Sequence, residues 1–159
     1  MTLSPDIEFL EDIRLLIYRP RSSLSEDSVN RAVKILTDLE ATLNEPFNRF
    51  SDTSAIDRVE LNYQYVIQVS LYRVLSYADR PPVKSAILAT DPTAAHYFQL
   101  HAIITQDSPI NVRIFQQRDG AAKWLGVPLE RLVENSAPAI DENGNQPNGS
   151  AVNDDETPT

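Results

Sequence analysis

The stretch VKSAILATDPTAAHYFQLHAII, Val83 to Ile104, decides how this chain folds. Its opening, Val83–Ala89, is a short, largely apolar run of the kind that a strand covered on both faces needs. Thr90-Asp91-Pro92 stops the strand and starts a helix. Asp91 can accept backbone N–H bonds as the N-cap, and Pro92 suits the first helical position, where a missing N–H costs nothing. Behind them Ala94, Tyr97, Phe98, His101 and Ile104 recur at helical spacing. The unit reads as strand, turn and helix of an α/β domain.

Toward the N-terminus, Ile7–Leu10 and Leu15–Arg19 are short apolar runs around Glu11, Asp12 and Arg14, which predicts a hairpin ended by Pro20. Ser25 is an N-cap signal, with Glu26 and Asp27 in the first turn and a Leu24–Val29 staple. Val29, Ala32, Val33, Leu36, Leu39 and Leu43 then mark the apolar stripe of a helix ending near Asn44. Phe47–Phe50 reads as a short strand and Ser51–Asp57 as polar turn. Asn62 caps a second helix whose inner face holds Val66, Val69, Arg73, Val74 and Tyr77, with Arg73 at the margin on its aliphatic stem. Beyond the central unit, Ile110–Phe115 is a strand. Asp119 caps a short helix closed by Gly126 and Pro128, and Leu129–Val133 adds a helical turn. The order β-β-α-β-α-β-α-β-α predicts an α/β fold: a mixed, mostly parallel sheet of about five strands with flanking helices.

The chain has 159 residues, no cysteine and a formal net charge of -9. One domain of that length buries a core without metal or disulfide help. Residues 1–135 form that domain. Residues 136–159 contain five acids, no Lys or Arg and no aromatic residue, the composition of a disordered acidic tail. The acidic balance argues against nucleic acid and anionic membranes as partners. MTLSPDIEF lacks the basic and apolar regions of a secretory signal, and no apolar run reaches the length of a membrane span. A cytoplasmic location is the expectation.

The strand Val83–Ala89 with Thr90-Asp91-Pro92, the aromatic helix, the strand NVRIF and the closing GAAKWLGVP together resemble the SpoIIAA-like proteins. These are small bacterial relatives of the STAS domain, the anti-sigma factor antagonist fold. The resemblance runs over roughly residues 7–133 in element order, and Ile110–Gly126 carries it best. It implies a regulatory or protein-interaction role and no catalysis. In STAS regulators a Ser or Thr at the start of the helix after the third strand is phosphorylated. Here no Ser, Thr or Gly lies between Asp57 and Tyr65, so that acceptor is missing. Ser54 reads as a turn residue.

The other residues point the same way. His96 and His101 lie about 140° apart on a helix and cannot share a metal. Gly120 and Gly126 are the only glycines before the tail, so a phosphate-cradling Gly-rich loop is absent. No Gly-x-Ser-x-Gly elbow occurs. No catalytic residue, metal site or cofactor is assigned. In a parallel sheet, ligands collect at the carboxyl ends of the strands. Arg19, Arg21, Asp52, Ser54, Thr90, Asp91 and Arg118 fall there, and they form the candidate rim for a small anion or an unidentified protein partner. Tyr63, Tyr65, Tyr72, Tyr77, Tyr97 and Phe98 crowd the two middle helices. Two helices cannot hide every ring in a small domain, so a homodimer through this face is a further expectation. The alternative function is a carrier or sensor of a small apolar or anionic ligand held between helix and sheet.

Overall fold

A computed structural model describes residues 2–134; the expected acidic tail lies outside the described residues. The strands are β1 (Thr2–Ser4), β2 (Ile7–Leu10), β3 (Leu15–Tyr18), β4 (Ser22–Ser25), β5 (Asn48–Asp52), β6 (Ile56–Glu60), β7 (Val83–Leu88) and β8 (Ile110–Phe115). The helices are α1 (Glu26–Thr42), α2 (Tyr63–Ser76), α3 (Pro92–Thr105) and α4 (Arg118–Leu125), followed by a 3-10 turn over Leu129–Arg131.

Local chemistry sets the helix starts. Ser25 and Ser28 form a reciprocal capping box on α1. Asn62 Oδ1 accepts from the Tyr65 N–H at 2.9 Å, and Asp91 Oδ2 accepts from the Ala94 N–H at 2.9 Å. Gly126 ends α4 in the left-handed region at φ 72°, where a residue without Cβ is at no disadvantage. The N-cap of α4 is Gln117 rather than Asp119, which sits inside the first turn where the helix dipole favours an acid.

Six strands form one mixed sheet in the order β1-β2-β3-β5-β7-β8. The β1–β2 and β2–β3 pairs are antiparallel, whereas β3–β5, β5–β7 and β7–β8 are parallel. The expected sheet of about five strands gains β1. The expected polar turn over Ser51–Asp57 shortens to residues 53–55, between the end of β5 and the start of β6. There Ile56 and Val59 are half-buried, and β6 pairs in parallel with β4 to make a separate two-stranded sheet. Only one or two apolar side chains per strand produce no alternation to read.

Alternation along the central strands splits the packing into two layers. Leu15, Ile17, Phe50, Ala86 and Leu88 face one side, where they join Ala121, Ala122 and Leu125 of α4 and Leu132 in a buried cluster. On the other side Ile7, Phe9, Leu16 and Phe47 meet the apolar stripe of α1. Helices α2 and α3 pack beside α1 over β5, β7 and β8.

Candidate functional site

The three-helix side of the sheet holds a cavity of about 160 Å³ that is partly open to solvent. Leu24, Val29, Ala32, Val33 and Leu36 wall it from the α1 side, and Val66, Val69, Tyr97 and Phe98 from α2 and α3. Its floor is the sheet, where Leu16 and Ile87 lie beside Arg49, Ser51, Thr53 and Ser85. A floor of this kind is unusual. Two interior strands of the sheet, β5 and β7, turn polar groups toward the helices, where burial favours aliphatic ones.

Some of that polarity is satisfied within the protein. Thr53 Oγ1 donates to the Leu88 carbonyl at 2.7 Å. The Ser51 and Ser85 hydroxyls, both half-buried, have no partner among the described residues. Arg49 forms an ion pair with Glu40 of α1, and Arg73 of α2 reaches the same carboxylate at 2.9 and 2.7 Å. All three are deeply buried, with 5% of Arg49, 4% of Arg73 and 8% of Glu40 exposed. The placement of Arg73 at a solvent margin is therefore corrected: its guanidinium is inside, held there by Glu40. The rings of Phe47 and Tyr77 flank the Arg49 guanidinium at 4.7 and 5.1 Å. Its Nε and Nη1 have no hydrogen-bond partner among the described residues. Burial lowers the Arg49 pKa to about 10, against the opposing pull of Glu40, so the side chain stays cationic at neutral pH.

His101 also lines the cavity, and its Nδ1 lies 2.7 Å from the Ser70 hydroxyl. Burial, and then the Arg73 charge, hold the imidazole pKa at about 4, so it is neutral at pH 7. Ser70 is fully buried. Three tyrosines in the lining are tied through their hydroxyls. Tyr18 donates to the Ser28 carbonyl, Tyr65 to Asn30 Oδ1 and Tyr97 to the Leu61 carbonyl.

The strand-end rim exists as an edge because β3, β5, β7 and β8 run in the same direction. Asp52, Ser54 and Arg118 come together there. Arg118 donates to Asp52 Oδ2 from Nε at 3.2 Å and from Nη2 at 2.8 Å, and to Ser54 Oγ at 3.0 Å. Ser54 is a turn residue, with its N–H and hydroxyl both donating to Asp52 Oδ1. Burial alone would raise the Asp52 pKa. The Ser54 and Arg118 hydrogen bonds outweigh it and leave the carboxyl below its ordinary value. Arg19 Nη2 donates to the Leu132 carbonyl, Arg21 pairs with Glu134, Asp91 is spent as a cap and Thr90 is exposed. Arg21 and Arg118 are thus each paired with an acid of the protein, whereas Arg19 has no acid partner and its Nη1 has no hydrogen-bond partner among the described residues.

The cavity residues were readable only in part. Glu40 falls on the apolar stripe of α1 four residues after Leu36, and a charge in that position signals a buried partner. Arg49 between Phe47 and Phe50 carries the same signal. That both meet Arg73 is a tertiary fact with no local trace.

No family model matches the sequence, and no curated protein matches it. The structure is similar to that of an uncharacterized protein of the DUF3478 family with a SpoIIAA-like fold, from Shewanella loihica PV-4. The identity is 15%, the TM-score 0.48, and the match covers 75% of this chain and 90% of that one. The likeness is one of fold. Among the described residues no helix is long and apolar enough to cross a membrane.

Proposed function

We propose that this chain is a non-catalytic binding domain, a carrier or sensor that holds a small, mainly apolar molecule between its three-helix layer and its sheet. The observation that carries the reading is the cavity itself. A void of about 160 Å³ among aliphatic side chains is comparable to the ~150 Å³ engineered cavity that accepts benzene. Proteins close such spaces by packing unless something occupies them. The helix above it fits this picture: Ser28 and Glu40 are the buried residues of α1, and its apolar stripe stays half-buried. The Ser70–His101 pair supports binding over catalysis. The serine has no exposed surface, and an imidazole with a pKa of about 4 is a weak base.

The test is native mass spectrometry of the purified full chain, together with a cavity-filling variant. Ser85→Leu places an aliphatic side chain on the cavity floor. A co-purifying small molecule present on the natural protein and absent from Ser85→Leu supports the reading. A natural chain that carries nothing and shows no thermal shift with benzene or toluene overturns it.

A second reading, regulation by contact with a partner protein, is supported by the outer face of α2. Tyr63, Ile67, Leu71, Tyr72 and Leu75 are exposed there, Leu75 by 77%. The only charged residue of that helix, Arg73, is buried. The same helix lines the cavity from inside, so a ligand that moves α2 changes what a partner meets. Sedimentation of the full chain separates a self-associating face, the homodimer, from one kept for a different protein.

A further inference from the structure

Among the described residues the charged groups of the cavity lining are both arginines, Arg49 and Arg73, and no carboxylate lines it. That is a biased choice in a chain with 23 acids and 14 Lys or Arg. Glu40 stands behind the two guanidiniums and answers only one of two positive charges. The local surplus is one positive charge in a region sheltered from water. Such a surplus is costly to leave uncompensated, and it favours an anion entering the same space. Arg49 keeps Nε and Nη1 without acceptors, and the Ser51 and Ser85 hydroxyls on the floor are free to donate. No other lining side chain opposes an anion: His101 is neutral, and the three tyrosine hydroxyls donate to protein oxygens.

We infer that the cavity selects a small carboxylic acid, an apolar body of about benzene size against the aliphatic wall and its carboxylate on the floor between Ser51, Ser85 and the arginine pair. This rests on the binding reading above and names the chemical class of its ligand. The serine hydroxyls supply the direct hydrogen bonds. The arginines supply the field, because Glu40 already takes one nitrogen of Arg49 and two of Arg73.

Benzoate, its neutral isostere benzamide, and benzene test the inference. Each is titrated into the full chain, with affinity read by calorimetry and location by amide shift perturbation. The expected result is benzoate binding at least tenfold tighter than benzamide, with shifts centred on Ser51, Ser85 and Ile87. In Ser51→Ala/Ser85→Ala the benzoate preference falls severalfold while benzene binding is kept. Those two substitutions add no volume and leave the ion cluster intact, so the variant folds. Benzene and benzamide binding as well as benzoate overturns the inference and leaves the cavity reading standing. Failure of all three probes removes the reading itself. Benzoate shifts centred on Arg19, Arg118 and Thr90 instead place the anion at the strand-end rim and overturn the assignment.

Discussion

The two faces of the sheet are filled to different standards. Against α4, the strands present Leu15, Ile17, Phe50, Ala86 and Leu88, and the helix answers with Ala121, Ala122 and Leu125, all buried. Against the three-helix layer, the same strands present Arg49, Ser51, Thr53 and Ser85, and a cavity remains. Phe50 and Ser51 are adjacent in sequence and lie on opposite faces, so one strand serves both layers. The difference teaches a division of labour. Close packing on one side holds the strands in register, which allows the other side to carry buried charge and unfilled volume. A layer of that second kind costs stability, and proteins tolerate the cost where function needs it.

The largest expected effect lies in the buried ion cluster. Glu40→Ala leaves two guanidiniums inside without a counter-charge and should lower unfolding stability by ~3–5 kcal/mol in urea denaturation. A loss below ~1 kcal/mol would mean that water reaching through the cavity already solvates Arg49 and Arg73, and that the layer is wetter than its aliphatic walls suggest.

Next comes the tight layer against the loose one. Phe50→Ala empties the middle of the α4-side core, where Phe50 has 0% exposure, and should cost ~3–5 kcal/mol. Ser85→Leu, one strand away on the opposite face, fills existing space. It should change stability by less than ~1 kcal/mol, in either direction, while closing the cavity. Thermal unfolding of the two variants side by side measures the difference in packing directly. Equal losses would erase the contrast between the faces.

The starts and stops of the helices are legible in the sequence on both sides of the sheet, and what the loose layer encloses is not. The caps Ser25, Asn62 and Asp91 and the closing Gly126 announce themselves because their signals span only a few residues. The largely apolar run Val83–Leu88 reads as a central strand because α4 and the three-helix layer cover its two faces. The small sheet of β4 and β6 escapes because SSLS and IDRVE hold too few apolar residues to show a period. The cavity escapes for a deeper reason. Its walls are half-buried aliphatics that look like any amphipathic stripe, and a void is a property of how stripes meet. Glu40 and Arg73 each stand out on an apolar face, but the pairing joins residues 33 positions apart.

A smaller effect separates the layers by pH. His101 is held neutral in the folded chain, with a pKa of about 4 against 6.5 when unfolded. The unfolded chain therefore binds more protons between those values, and stability falls as pH drops through this window. The loss should be roughly 1–3 kcal/mol, developing as pH falls through 6.5 and nearly complete by pH 4. His101→Gln should flatten this part of the pH–stability curve, whereas the α4-side cluster contains no titratable group to produce one.

The smallest effect lies at the rim and sharpens the same contrast in terms of charge. Arg118 and Asp52 form a one-to-one pair, and Arg21 has Glu134, whereas Arg49 and Arg73 share a single acid. Arg118 is about a third exposed while Asp52 is buried, so screening limits the worth of the pair. Arg118→Ala should cost about 1 kcal/mol near neutral pH. The folded Asp52 pKa lies below its ordinary value, so its contribution is present above pH 3.8 and is lost as pH falls through the folded value. Without Arg118 only the Ser54 bonds oppose burial, and acid unfolding of the variant should begin at higher pH. At the rim Arg21 and Arg118 each have an acid of their own and Arg19 has only a carbonyl, whereas at the cavity two arginines share one acid. A variant unchanged in acid but weakened for anions would move the binding function from the cavity, where charge is unmatched, to the strand ends.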